Sequence, residues 1–216
     1  MKIVNGASLK PRSGTSPAKI VLLLHGFGSN GKDMIALAPT WQQAMPDALF
    51  LAPHAPQRSF LGGGYQWWGL TDISPQALAA GAATAAPAIN SFIDRKLDQY
   101  HLDDADLAIV GFSQGTMMAL HVGLRRSGGV AAIVGYSGML TGAAELKRDI
   151  ASRPPVLLIH GSQDQVVPIA AMHATERELK SLDVAVRSHV CSGAGHTVDP
   201  VGLRLGRDFV AQAFAR

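Results

Sequence analysis

The stretch AIVGFSQGTMMAL, residues Ala108 to Leu120, decides how the rest of the chain is read. Its first half is apolar and rich in β-branched residues. Its second half has the composition of a helix, and Gly111-Phe112-Ser113-Gln114-Gly115 between them fits the pattern GxSxG. Glycine fills 23 of 216 positions, so five such letters arise by chance in roughly one chain of this kind in six. The context carries more weight. A strand running directly into a helix forces a sharp turn. Small residues two before and two after the serine let strand and helix approach closely, and the serine is held exposed at the apex. The alternative is an ordinary turn with a capping serine.

Outward from this stretch the same alternation recurs. The runs KIVLLLHG, DALFLAP, ADLAIVGFS, VAAIVGYS, PVLLIHGS and VAVRSHVC read as strands buried on both faces. Helical spacing appears in KDMIALAPTWQQAM, SPQALAAGAATAAPAINSFIDRKLDQY, QGTMMALHVGLRR, PIAAMHATERELKSL and PVGLRLGRDFVAQAFAR. Ser74 and Pro75 form a cap and first-turn pair, and Pro87 predicts a kink in the long helix. Strands alternating with helices predict an α/β fold, a mostly parallel sheet with helices on both faces and right-handed crossovers. Residues 1–216 read as one domain, with no repeat and no linker.

The composition bounds the function. With 47% hydrophobic and 16% charged residues the chain reads as compact and soluble. A net charge of +3 from 19 basic and 16 acidic residues, scattered along the chain, does not imply a nucleic-acid partner. The lone Cys191 cannot close an internal disulfide and points to a reducing compartment. No run is long enough to span a bilayer, and the first residues lack the apolar core of a signal peptide, so a cytoplasmic location is expected.

In a parallel α/β sheet, ligands bind beyond the carboxyl ends of the strands. Four such ends are informative here: His25-Gly26-Phe27-Gly28, Ser113, Gly161 to Asp164, and Gly195-His196. A serine hydroxyl needs a base, and neutral imidazole is the side chain matched to that task near pH 7. Among eight histidines, His196 in GAGHTVDP follows the last strand in a glycine-flanked turn able to reach back over the sheet. His160 sits inside a strand and reads as packed, while His54 precedes a long loop and could line the cleft. An imidazole acting as base needs a carboxylate on its far nitrogen, and Asp164 in GSQDQVVP occupies that place in the order Ser, Asp, His. Asp199 is a competitor that reads better as the cap of the last helix. Ser137, in GYSGM, follows a strand but lacks the glycine spacing.

These blocks together resemble the α/β-hydrolase superfamily, and within it the phospholipase/carboxylesterase family that includes acyl-protein thioesterases. The resemblance rests on LLLHGFGSNGKDM, APQRSFLGGGYQWW, GFSQGTMMAL, IHGSQDQVVP and GAGHTVD and covers most of the chain. It implies Ser113 as nucleophile, His196 as general base and acid, and Asp164 as its orienter. It implies an oxyanion hole from the backbone N–H groups of Phe27 and Gln114, and neither a cofactor nor a metal. The chain departs from many relatives at YQWWGLTD, where they carry proline followed by Trp-Phe-Asp or Trp-Tyr-Asp.

The partner expected is a small-molecule ester, with thioesters and lysophospholipids open to the same chemistry and a homodimer as the one protein partner left open. A non-catalytic binding protein on the same fold would normally lack a triad member. A metal-dependent hydrolase using His25, His54, His160 and His196 lacks zinc-ligand spacing. Only about 18 residues separate Ser137 from Val156, too few for a large cap domain. The longest stretch without periodicity runs from Pro53 to Asp72, and such loops are commonly lids or binding loops. Gly62, Gly63 and Gly64 would let it bend, and Tyr65, Trp67 and Trp68 are expected either to line an acyl pocket or to staple the loop to the body.

Overall fold

The computed structural model describes residues 3–60 and 62–216; residues 1 and 2 and Leu61, in the 53–72 loop, lie outside the described residues. Seven strands form one sheet in the order β1 (Val4–Leu9), β3 (Ala48–His54), β2 (Lys19–Leu24), β6 (Leu107–Phe112), β7 (Ala132–Tyr136), β8 (Val156–Gly161) and β9 (Val186–Cys191). Every pairing is parallel except β1 with β3, which is antiparallel at the edge.

The five inner strands read as continuous apolar runs because both faces are covered, yet their alternation survives in the packing; β9, expected to be buried on both faces, is instead an edge strand that is largely exposed. On β2, Ile20, Leu22 and Leu24 join one buried layer with Ile89 and Phe92 of α3 (Pro75–Tyr100) and Met118 and Leu120 of α4 (Gln114–Gly123). Val21 and Leu23 join the other layer, with Met34 of α1 (Gly31–Ile35), Trp41 of α2 (Ala38–Gln42) and Val210 of α7 (Pro200–Phe214). Helix α4 is buried along its whole length, which explains why its sequence is apolar all round. No helix among the described residues is long and apolar enough to cross a membrane.

The sheet order places the crevice. From β2 the chain moves outward to β3, then crosses to β6 on the other side of β2 and continues through β7, β8 and β9. The strand order therefore reverses between β2 and β6, and their carboxyl ends flank the position where ligands bind in open α/β sheets.

Several elements differ from the sequence reading. The first predicted helix is two short ones, α1 and α2, because Pro39 starts the second. The long helix α3 runs unbroken through Pro87, which lies on its exposed side, so the carbonyl freed by the missing N–H faces water. Strand β1 and helix α5 (Ala143–Asp149) escape sequence reading, since neither carries a clear period. The 53–72 segment contains a small hairpin of β4 (Gln57–Arg58) and β5 (Tyr65–Gln66). That hairpin is tied to the turn after β2, with Gly28 N–H donating to Tyr65 O (2.9 Å) and Tyr65 N–H to Ser29 O (2.8 Å). Between β7 and β8 the only helix is the seven-residue α5, so no large cap is inserted there. Helix α6 (Ile169–Lys180) packs against β8 and β9.

Candidate active site

Ser113 stands between β6 and α4 with φ 54° and ψ −116°. This is backbone that a residue with a Cβ adopts only when its surroundings impose it, at a cost of about 1–3 kcal/mol. The surroundings do impose it. Ser113 N–H donates to Tyr136 O (2.9 Å), and Ser113 O accepts from Thr116 N–H (2.9 Å). The buried Thr116 hydroxyl lies 2.8 Å from both Gly111 O and Tyr136 O, which braces the elbow from beneath. The two flanking glycines are required sterically. A Cβ on Gly111 would lie 2.2 Å from Gly115 O, and one on Gly115 would lie 1.9 Å from Leu24 O. The Ser113 side chain makes no capping bond to α4, so the reading as a helix cap is set aside. Ser137, by contrast, is fully buried, and its hydroxyl points to Thr197 O at 3.4 Å.

Asp164 follows β8 and His196 follows β9. His196 Nδ1 lies 2.8 Å from Asp164 Oδ2, and the other carboxylate oxygen accepts from Val166 N–H and Val167 N–H, both at 2.9 Å. Burial favours the neutral acid at Asp164, but the His196 bond and the two amides together outweigh it and hold the pKa below the usual carboxylate value. The His196 ring packs against Phe112, the residue before Ser113, with ring centres 4.9 Å apart. The strand ends thus bring an aspartate–histidine pair beside the serine elbow. Gly161 makes this possible, because a Cβ there would meet the carbonyls of Ala194 and Gly195 in the histidine loop, both at 2.3 Å.

Sequence reasoning passed over His160 as a packing residue. It is buried, and its Nε2 lies 2.7 Å from Val167 O and 3.3 Å from Asp164 Oδ2. The carbonyl requires Nε2 to carry a proton, so His160 donates to Val167 O while its ring lies close to the carboxylate oxygen that His196 engages. Asp199 caps α7, accepting from Gly202 N–H (2.6 Å) and from the Cys191 thiol (3.1 Å). It takes no part in the pair around His196.

The expected oxyanion donors lie on either side of the crevice, Phe27 in the turn after β2 and Gln114 at the first position of α4. Gly26 holds that turn against the elbow, since a Cβ on it would be 3.3 Å from Ser113 Cβ. His54, at the end of β3, is held by two neighbours. Its Nδ1 accepts from Gly31 N–H (3.1 Å) and its ring stacks on Tyr65 at 4.4 Å.

The aromatic residues of the 53–72 loop are held by neighbouring groups. Trp67 is 0% exposed and Trp68 5%, and both belong to the core layer beneath the loop. Trp68 packs on α3 where Gly81 leaves room, a Cβ there falling 2.3 Å from the indole. The Tyr65 ring is engaged by His54 and by the Arg58 guanidinium, 4.4 Å from its centre. The two tryptophans pack the loop against the body, and the Tyr65 ring packs within the loop. Nor do the four strand-end histidines gather: among the described residues no three His, Cys, Asp or Glu side chains are grouped to hold a metal ion.

A sequence model of the phospholipase/carboxylesterase family matches residues 11–213. The chain belongs to this family. It is 25% identical over 198 residues to the esterase YpfH of Escherichia coli strain K12, covering 91% of this chain and 84% of that protein. It is 28% identical over 197 residues to acyl-protein thioesterase 1 of Gibberella zeae, covering 83% and 84%. The crystal structure of esterase PE8 superposes with a TM-score of 0.93 at 39% identity, covering 99% of this chain and all of that one. The fold is that of an α/β-hydrolase, and this member of the phospholipase/carboxylesterase family is an ester hydrolase.

Proposed function

We propose that the chain, as one domain over residues 1–216, is a serine carboxylesterase that hydrolyses short- to medium-chain carboxylic esters through an acyl-enzyme on Ser113. The observation that carries this reading is the 2.8 Å contact between His196 Nδ1 and Asp164 beside a strained, uncapped serine. With Nδ1 donating to the carboxylate, His196 Nε2 is the bare nitrogen able to take a proton. Ser113 Oγ attacks the ester carbonyl as its proton passes to His196 Nε2. The tetrahedral oxyanion is met by the N–H groups of Phe27 and Gln114, the latter at the positive end of α4. Collapse expels the alcohol, which takes the proton from His196. Water then gives a proton to His196 and adds to the acyl carbon, and the acid leaves as Ser113 recovers its hydrogen. Neither metal nor cofactor enters these steps.

Thioesters are a second reading, favoured by the similarity to an acyl-protein thioesterase; the same attack and collapse apply, with a thiol leaving. Replacing Ser113 by Ala should lower ester turnover by on the order of 10⁴-fold or more at unchanged melting temperature. A fluorophosphonate should label the parent protein at Ser113 and leave the variant unlabelled. Near-normal turnover in the folded variant would exclude the serine mechanism. Esters of graded chain length, run beside the matching thioesters, separate the two substrate classes.

A further inference from the structure

Resting on the oxyanion hole just described, we propose that Trp67 is a positioning residue that sets the spacing between the hole's two N–H groups. Those donors come from separate parts of the chain, the turn after β2 and the start of α4, and nothing in either element alone fixes their distance. A continuous hydrogen-bonded path joins them through Trp67. Its indole N–H donates to His25 O at 2.9 Å, and its backbone N–H donates to Gln114 Oε1 at 3.0 Å. The Gln114 amide closes the clamp by donating from Nε2 to Trp68 O at 2.9 Å.

On the His25 side the path reaches the oxyanion donor itself. His25 Nε2 lies 3.0 Å from Ala55 N, whose N–H it must accept, so Nδ1 carries the ring's proton and donates to Gly26 O at 2.7 Å. Gly26 C=O and Phe27 N–H belong to one planar peptide group. Holding that carbonyl therefore aims the Phe27 N–H. Burial lowers the His25 pKa to about 4, which keeps Nε2 an acceptor at neutral pH. Trp67 and His25 are 0% exposed and Gln114 1%, so water does not compete for these bonds. One rigid indole, whose ring centre lies 5.4 Å from that of His25, thus adds a buried hydrogen-bonded link between the two loops beside the close packing of Gly26 on the elbow.

Trp67→Phe removes the indole donor and keeps most of the volume. Purified variant and parent are compared in kcat/KM on a short-chain ester and in inhibition by an alkyl trifluoromethyl ketone, which forms an oxyanionic adduct on the serine. The expected result is a loss of about 10- to 100-fold in kcat/KM, borne by kcat, with Ki raised by the same factor and the order of acyl-chain preference unchanged. A purely structural tryptophan would lower the melting temperature and leave Ki where it was. Should Trp67→Phe not fold, Gln114→Met removes the other end of the brace with the backbone N–H retained, and the same paired losses are expected. A folded variant of either kind with parental kcat/KM and Ki overturns the proposal, as does a shift confined to chain-length preference. Fluorophosphonate labelling of Ser113 in the parent separates this failure from failure of the serine mechanism.

Discussion

Asp164 divides its two oxygens between two tasks. One is fixed by the amides of Val166 and Val167, which set the carboxylate's orientation, and the other faces His196 and His160. Because its folded-state pKa is depressed, the folded chain binds this proton less readily than the unfolded chain. The stability gained is complete above the unfolded value, about 3.9 for an aspartate, and is lost as pH falls through the folded value. Asp164→Asn cannot titrate, so its melting temperature should fall less steeply than the parent's between pH 5 and pH 3, and equal slopes would contradict the hydrogen-bonded picture. The same variant should lose activity by about 10⁴-fold, as expected when the imidazole loses its preferred tautomer. At this scale Ser113, Asp164 and His196 could be nominated from sequence because each follows a recognisable strand. His160 and the Gln114 side chain could not. Their partners, Val167 O and the Trp67–Trp68 backbone, are set by how loops fold over the sheet, and no local pattern encodes that.

Helix α3 shows how an element can overrule its own sequence. Its alanine-rich first half and Ser74 cap favour helix, and Ile89, Phe92, Ile93 and Leu97 anchor it on the sheet. This tertiary packing carries the helix through Pro87. Since that proline lies on the exposed side, Pro87→Ala restores a backbone donor without disturbing the core. We expect stabilisation of about 1–3 kcal/mol, less the unfolded-state entropy that proline removes. By calorimetry the midpoint should rise by about 2–8 °C at unchanged turnover; a lower midpoint would show that the helix depends on the proline. The parallel strands β2, β3, β6, β7 and β8 were legible because burial on both faces writes itself as unbroken apolar runs, a pattern that the largely exposed edge strand β9, VRSHVC, does not share. The β1 sequence VNGASL has no such run, and its strand exists only through pairing with β3. Likewise the split of α1 from α2 and the β4–β5 hairpin depend on Pro39 and on the turn at Gly26 to Ser29, which a periodicity argument over a whole window averages away.

At the scale of the whole molecule, no long helix is inserted between β7 and β8 among the described residues. Only α5 lies between β7 and β8, and the 53–72 segment is tied down by its hairpin, by Gln114 and by the buried tryptophans. Substrate access should then need no large opening. The rate on a partly soluble ester should follow one smooth saturation curve through the concentration at which the substrate forms micelles, and a jump there would reveal a lid. The α/β architecture and the sequence order of the site residues were legible at this scale, whereas the tight seating of the loop was not, because aromatic residues suit a pocket wall and a core equally well. One contact at the far edge of the sheet has a chemical consequence of its own. Burial, together with the bond to the Asp199 carboxylate, pushes the thiol of Cys191, the chain's single cysteine, up to about 12. Thiolate is the reactive form, so alkylation of the folded chain should be slow compared with that of the unfolded chain. Because the sulfur is covered by Asp199 and Gly202 at the start of α7, its rate of alkylation should serve as a clock for the opening of this edge.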